Sequence, residues 1–127
     1  MHENEIAEQI VDAAFKIHKT YEPGLLESAY EAMLVYELEK RGLRVVCQQP
    51  MALVYEEMRL DIGYRADLVV EDAVIVELKS VETIARVHFK QLLTYLRVSD
   101  KRLGLLINFG GDKIGPNIKR IANKLQD

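Results

Sequence analysis

Tyr64-Arg65-Ala66-Asp67-Leu68-Val69-Val70-Glu71-Asp72-Ala73-Val74-Ile75-Val76-Glu77-Leu78-Lys79 is the stretch whose reading decides the fold. Two runs rich in β-branched and aliphatic residues flank the polar Glu71-Asp72-Ala73, which predicts a tight hairpin. A turn centred on Asp72 sets Val70 against Val74, Leu68 against Val76 and Asp67 against Glu77. Facing residues of an antiparallel pair share a face, with Cβ atoms roughly 4.5–5.5 Å apart. Side chains two apart on a strand also share a face, so Lys79 joins Glu77. Leu78 then points the other way, into the core.

Two carboxylates at that distance repel each other. A divalent cation removes the conflict, and Mg²⁺ takes one or two carboxylates with waters and substrate phosphates. A neighbouring lysine can orient or deprotonate a water and offset charge in a transition state. The trio Asp67, Glu77 and Lys79 therefore has the parts for metal-assisted phosphodiester hydrolysis. The competing reading is a solvated strand face carrying one salt bridge. A one-residue slip of the turn would also separate the pair.

Outward from the hairpin, the pattern upstream is helical. Ile6, Ile10, Ala13, Ala14 and Ile17 recur at helical spacing, and Thr20-Tyr21-Glu22-Pro23-Gly24 ends that helix. A second helix is predicted over 25–41, with Leu26, Tyr30, Leu34 and Leu38 in one stripe and Gly42 as terminator. Short β-type runs follow at 43–48 and 51–55, then an extended segment over 58–71 bent at Gly63. Downstream, a third helix fits 83–97 and is closed by Ser99-Asp100, and a buried strand fits 103–109, stopped by Gly110-Gly111. The tail over 117–125 suits either a helix turn or a short edge strand. The crossover helix between the strands at 73–79 and 103–109 implies one parallel connection, hence a mixed sheet with helices packed on it.

The length, 127 residues, predicts one domain over 1–127. No stretch approaches the ~20 apolar residues of a membrane span. The acidic opening Met1-His2-Glu3-Asn4-Glu5 lacks the order of a signal peptide, so a cytoplasmic protein with no membrane contact is expected. Cys47 is the only cysteine, which excludes an intramolecular disulfide and any cysteine-cluster metal site. It is expected to be a small core residue. His18 reads as a packing or capping residue near a helix end, and His88 as the histidine nearest the cleft. Pro116 stands where a phosphate-binding loop headed by Gly110 needs lysine, and no G-x-S-x-G nucleophile elbow is present.

The net charge of −3 conceals an asymmetry. Residues 1–78 carry 7 Lys and Arg against 16 Asp and Glu, a net of −9. Residues 79–127 carry 10 against 4, a net of +6. Either the halves attract each other across the fold, or the second half presents a polyanion-binding face. Basic residues such as Arg86, Lys90 and Arg97 are candidates for backbone contact.

Further polar residues extend the site. Glu27 lies at the margin of the second helix's apolar stripe. Gln91 and Tyr95 lie one turn apart on the third helix, with His88 one turn before Gln91, so that they could line a cleft beside the metal.

Gly24-Leu25-Leu26-Glu27-Ser28-Ala29-Tyr30 matches the G-x-x-E-x-x-Y signature of the GxxExxY proteins. Asp67-Leu68-Val69-Val70 with Val76-Glu77-Leu78-Lys79 resembles the PD-(D/E)XK core of that family. Gln91-Leu92-Leu93-Thr94-Tyr95 resembles the Q-x-x-x-Y motif of RecB-like nucleases, and 104–110 resembles the family's last core strand. Glu22 departs from the glycine often found before the Pro-Gly pair. The resemblance implies an α/β (α+β) restriction-endonuclease-like core of αβββαβ order, a mixed β-sheet flanked by helices. It implies Mg²⁺ or Mn²⁺ held by Asp67 and Glu77, Lys79 acting on the attacking water, and Glu27 completing the acidic site. Gln91 would steady Lys79 or contact phosphate, with Tyr95 in support. The function expected is a metal-dependent nuclease acting on DNA or RNA, with a homodimer as one arrangement. The alternatives are a non-catalytic nuclease-fold binding or regulatory module, and an enzyme acting on a small phosphorylated substrate.

Overall fold

The computed structural model describes residues 1–126. Helix α1 spans Glu3–Tyr21 and buries Ile6, Ile10, Ala13, Ala14 and Ile17 along one stripe. Its first turn is closed reciprocally. The Asn4 N–H donates to His2 Nδ1, and the His2 N–H donates to Glu5 Oε1. Helix α2 spans Glu27–Lys40 and buries Tyr30, Leu34 and Leu38. Gly42 ends it at φ 83°, a left-handed position where glycine meets no steric penalty. The Gly42 N–H reaches the Glu39 carbonyl and the Leu43 N–H reaches that of Leu38, the paired bonds of a Schellman ending.

Five strands follow: β1 (Val45–Tyr55), β2 (Met58–Val70), β3 (Val74–Lys79), β4 (Leu103–Asn108) and β5 (Ile118–Ala122). They lie in the order β1-β2-β3-β4-β5. Among the described residues only the β3–β4 pair is parallel, and helix α3 (Arg86–Ser99) makes that crossover. The expected αβββαβ order is present, with α1 added before it and β5 after it. The tail forms a short 3₁₀ turn, Gly115–Asn117, and then the edge strand β5.

Two apolar layers hold the sheet. One joins α1 and α2 to Leu68, Val70, Val74, Val76, Leu78, Leu105 and Ile107. The other joins Leu92 and Leu96 of α3 to Val69, Ile75 and Leu106. Strand β4 is buried along its whole length, because both of its faces are covered.

Several boundaries differ from the sequence reading. The runs at 43–48 and 51–55 are one strand, since Pro50 sits on a sheet edge, where its missing N–H costs no ladder bond. The bend expected at Gly63 is present: residues 61–63 of β2 lie opposite Ala52 alone. A Cβ at Gly63 would come within 2.3 Å of Leu53 Cγ. Helix α3 begins at Arg86, not Thr83. Cys47 is exposed and not in the core, because β1 is an edge strand. Desolvation, followed by the charges of Glu31 and Glu39, raises its thiol pKa, which disfavours the thiolate.

The β2–β3 register is the one the sequence predicted: Val70 pairs with Val74, Val69 with Ile75 and Leu68 with Val76. Glu71 and Asp72 both take left-handed φ, 53° and 51°, and the Ala73 N–H bonds the Val70 carbonyl at 3.0 Å. That is type I′ geometry, which ordinarily selects Asn-Gly. Here neighbours steady it. The Arg44 N–H donates to Glu71 Oε2 at 2.8 Å, and Lys101 Nζ donates to the Asp72 carbonyl and carboxylate at 3.1 Å.

Candidate functional site

Asp67 stands where the regular sheet gives way. Tyr64 and Ala66 pack with the α3 layer, whereas Leu68 and Val70 pack with the α1/α2 layer. Strict alternation would keep all four on one face, so β2 rotates at Asp67. Across from it, Gln48 adopts a left-handed φ of 50°, although Cys47–Leu68 and Gln49–Ala66 pair on either side. Non-glycine residues held there carry backbone strain of about 1–3 kcal/mol.

The β2–β3 ladder also ends at Leu68–Val76, one step short of the expected Asp67–Glu77 pair. The Asp67 carboxylate turns back to the sheet instead, and its Oδ2 accepts the Leu78 N–H at 2.8 Å. Its Oδ1 lies 3.3 Å from Gln48 Nε2, which also donates to Glu31 Oε1 at 2.9 Å. Asp67 and Glu77 are still on neighbouring strands and line one cavity, but a side-chain bond replaces the last rung of the ladder.

That cavity, of about 280 Å³, is lined by Asp67, Glu77, Lys79, Gln91 and Tyr95, together with Arg65 and His88. Gln91, Tyr95 and His88 come from the flank of α3 that faces β2 and β3. The Tyr95 ring lies against Tyr64 of β2. A smaller cavity adjoins it, lined by Glu27, Glu31, Gln48, Asp67 and Leu78. Asp67 lines both. The structure thus gathers six of the seven residues singled out from the sequence, Asp67, Glu77, Lys79, His88, Gln91 and Tyr95, into one cavity and puts Glu27 in the next. Arg65, Gln48 and Glu31 are additional. The left-handed turn at Gln48 has no local signature, since glutamine is not a residue that marks φ > 0.

Glu77 is the most perturbed group. Its carboxyl pKa is raised from 4.5 to about 7. Burial is the main cause; the Lys79 charge and the Asp67 backbone oppose it, and the charges of Glu27 and Glu31 add to it. Its Oε1 is buried with no hydrogen-bond partner among the described residues, as is His88 Nδ1. A folded pKa above the unfolded value means stability present below about pH 4.5 and lost as pH rises through about 7. Metal-free Glu77→Gln protein is therefore expected to exceed the wild type by about 3 kcal/mol at pH 8 and to match it near pH 4. Urea unfolding in EDTA at the two pH values measures this; a constant difference between the proteins would contradict the assignment.

The loop that delivers Glu27 is held by named bonds. Gly24 has φ 129°, outside the range of ordinary residues. Tyr30 is fully buried, stacks on Phe109 at 4.4 Å, and donates its hydroxyl to the Glu22 carbonyl at 2.5 Å. The same hydroxyl accepts the Leu25 N–H at 3.3 Å, and Ser80 Oγ donates to the Leu25 carbonyl at 3.0 Å. Glycine and tyrosine thus bracket Glu27 for a mechanical reason: they set the turn from which α2 starts beside Asp67. Tyr30→Phe keeps the stacked ring and loses both bonds, so a loss of about 1–2 kcal/mol in unfolding free energy is expected by denaturant titration.

His18 is also placed as a packing residue. It is buried, and its Nε2 lies 2.9 Å from the Gly111 carbonyl.

No curated protein sequence and no solved structure gives a significant match to the chain. A family model described as PD-(D/E)XK nuclease superfamily matches residues 4–121. That span takes in all but the first residue of α1, all of α2 and α3, the five strands nearly to the end of β5, and every residue of both cavities. The chain belongs to the PD-(D/E)XK nuclease superfamily.

Proposed function

We propose that this protein is a metal-dependent nuclease that hydrolyses phosphodiester bonds in DNA or RNA. The observation that carries this reading is the buried, unpartnered Glu77 carboxyl oxygen in the cavity that Asp67 and Lys79 also line. Among the described residues neither Asp67 nor Glu77 has a cation within salt-bridge distance. Two clustered carboxylates without a direct ion-pair partner fit a hard divalent cation, which takes one or two carboxylates and completes its shell with water and phosphate.

Asp67 and Glu77 would hold Mg²⁺ or Mn²⁺, with Glu27 contributing from the adjoining cavity. The bound ion would supply Lewis-acid polarisation of the phosphoryl group. Lys79 orients the attacking water and offsets charge developing on the phosphate oxygens. Gln91 steadies Lys79 or contacts the phosphate, and Tyr95 supports Gln91 one helical turn away. Incubation of the purified protein with single- and double-stranded DNA and RNA, with Mg²⁺ or Mn²⁺, tests the reading. Cleavage that survives Asp67→Ala would sink it.

One observation favours the second reading, a non-catalytic module. Among the described residues, no three His, Cys, Asp or Glu side chains are gathered as a metal-binding group. Calorimetric titration with Mn²⁺ separates the two: heat of binding that disappears in Asp67→Ala supports the enzyme, and no binding at millimolar metal supports the module.

A further inference from the structure

The excess of basic residues in 79–127 is not spent on the acidic half. Among the described residues, a single ion pair joins the two halves, Lys101 Nζ to Asp72 Oδ1 at 3.1 Å. The other ion pairs lie within residues 1–78. Mutual attraction of the halves therefore leaves most of the net charge of the second half unexplained.

Helix α3 shows where part of that charge goes. It contains no Asp or Glu. At about 100° per residue, Arg86, Lys90 and Arg97 fall within about 40° of one another on the helix. His88, Gln91 and Tyr95 form a second stripe, roughly 150° around the helix from the first. The second stripe faces the cavity with Asp67 and Glu77. The cationic stripe is exposed and lies on the opposite flank, toward β5.

Strand β5 continues it. Lys119 pairs with Leu106, and Ile121 pairs with Gly104. Leu106 and Ile121 pack in the α3 layer, so the exposed Lys119 side chain is on that face. Four cations from two elements, none of them ion-paired among the described residues, share one side of the molecule.

We infer that Arg86, Lys90, Arg97 and Lys119 form a phosphate-backbone track. On it, a nucleic acid strand runs along α3 on the flank between the cavity and the β5 edge. The inference rests on the nuclease reading and adds to it: the substrate is a polymer gripped on both flanks of α3, not a mononucleotide or short phosphodiester. From Arg86 to Arg97 the track runs about 16 Å along the helix, the axial length of about five phosphates of one duplex strand. Such contacts position the strand and carry no sequence information.

The test uses the full chain and the triple variant Arg86→Ala, Lys90→Ala, Arg97→Ala, with Lys90→Glu as a second variant. All three side chains are exposed, and circular dichroism checks that the variants fold. Fluorescence anisotropy in EDTA measures binding to a labelled duplex DNA and a labelled single-stranded RNA, so catalysis plays no part. The triple variant is expected to bind the preferred polymer at least tenfold more weakly. The slope of log K against log salt should flatten by about 2–3, near 0.9 for each lost contact to B-DNA. With Mg²⁺ present, KM for the polymer rises, while kcat and cleavage of a small nitrophenyl phosphodiester stay unchanged. Wild-type affinity and slope in the triple variant would overturn the track and leave the nuclease reading standing. A wild-type protein that neither binds nor cleaves any of these polymers would overturn both.

Discussion

Lys79→Ala is expected to lower phosphodiester cleavage by about 10²–10³-fold, the cost of removing one preorganised electrostatic group from an active site. Lys79 follows Glu77 by two residues on β3 and lines the same cavity. Among the described residues no carboxylate lies within salt-bridge distance of its ammonium. Its charge lowers the pKa of Glu77 against the opposing effect of burial. Removing it therefore has two consequences. In the proposed reaction the phosphate would lose a cation, and Glu77 would hold its proton to higher pH. The second predicts a diagnostic pattern: the activity deficit of Lys79→Ala narrows only well above about pH 7, because Glu77 without the lysine ionises at higher pH than in the wild type. Lys79→Met keeps most of the aliphatic stem and should be as inactive as the alanine variant. Initial rates from pH 6 to 9 read the outcome, and an alanine variant with undiminished kcat would remove lysine from the mechanism.

The largest loss of stability is expected from Asn108→Ala. Asn108 is fully buried at the end of β4 and uses its whole amide. Its Oδ1 accepts from the N–H groups of Val81 and Gly110, both at 3.0 Å. Its Nδ2 donates to the Val81 carbonyl at 2.8 Å and to Asn117 Oδ1 at 3.1 Å. Truncation leaves these groups without their partner, and each buried unsatisfied group costs about 1–3 kcal/mol. A total of about 3–5 kcal/mol, and a fall in Tm on the order of 10–20 °C, is expected by thermal and urea unfolding. Val81 lies two residues past Lys79, and a Cβ at Gly110 would come within 2.3 Å of its carbonyl oxygen. Asn108 thus clasps the segment that carries the chain from β3 toward α3. A variant that unfolds within a few degrees of wild type would mean that water takes over these bonds.

The legibility of the site follows the range of the interactions that build it. The Leu68–Val76 register was readable because a turn at Glu71-Asp72 dictates it locally. The grouping of Gln91 and Tyr95 was readable because helical periodicity fixes which residues share a face. The rotation of β2 at Asp67 was not readable: it depends on Gln48 taking a left-handed φ some twenty residues earlier. Glu27 was legible as an acid and not as a position, since its place depends on Tyr30 meeting Phe109 and Ser80 meeting Leu25. Cys47 was misplaced because an apolar run reads alike on an edge and a central strand.

The parallel β3–β4 contact separates this molecule into parts that assemble at different speeds. Strands β1 to β3 form a meander whose turns need few residues, so its closure entropy is small. Val74 meets Leu103 only after the intervening loop and α3 have been laid down. Contacts of long sequence separation form slowly. On refolding, the hairpin bearing Asp67 and Glu77 can therefore form before α3 and the Asn108 clasp are in place. During that interval Asp67 and Glu77 stand in open water, where burial does not weigh on them. The burial that raises the Glu77 pKa is thus expected late in folding, when α3 docks over the hairpin.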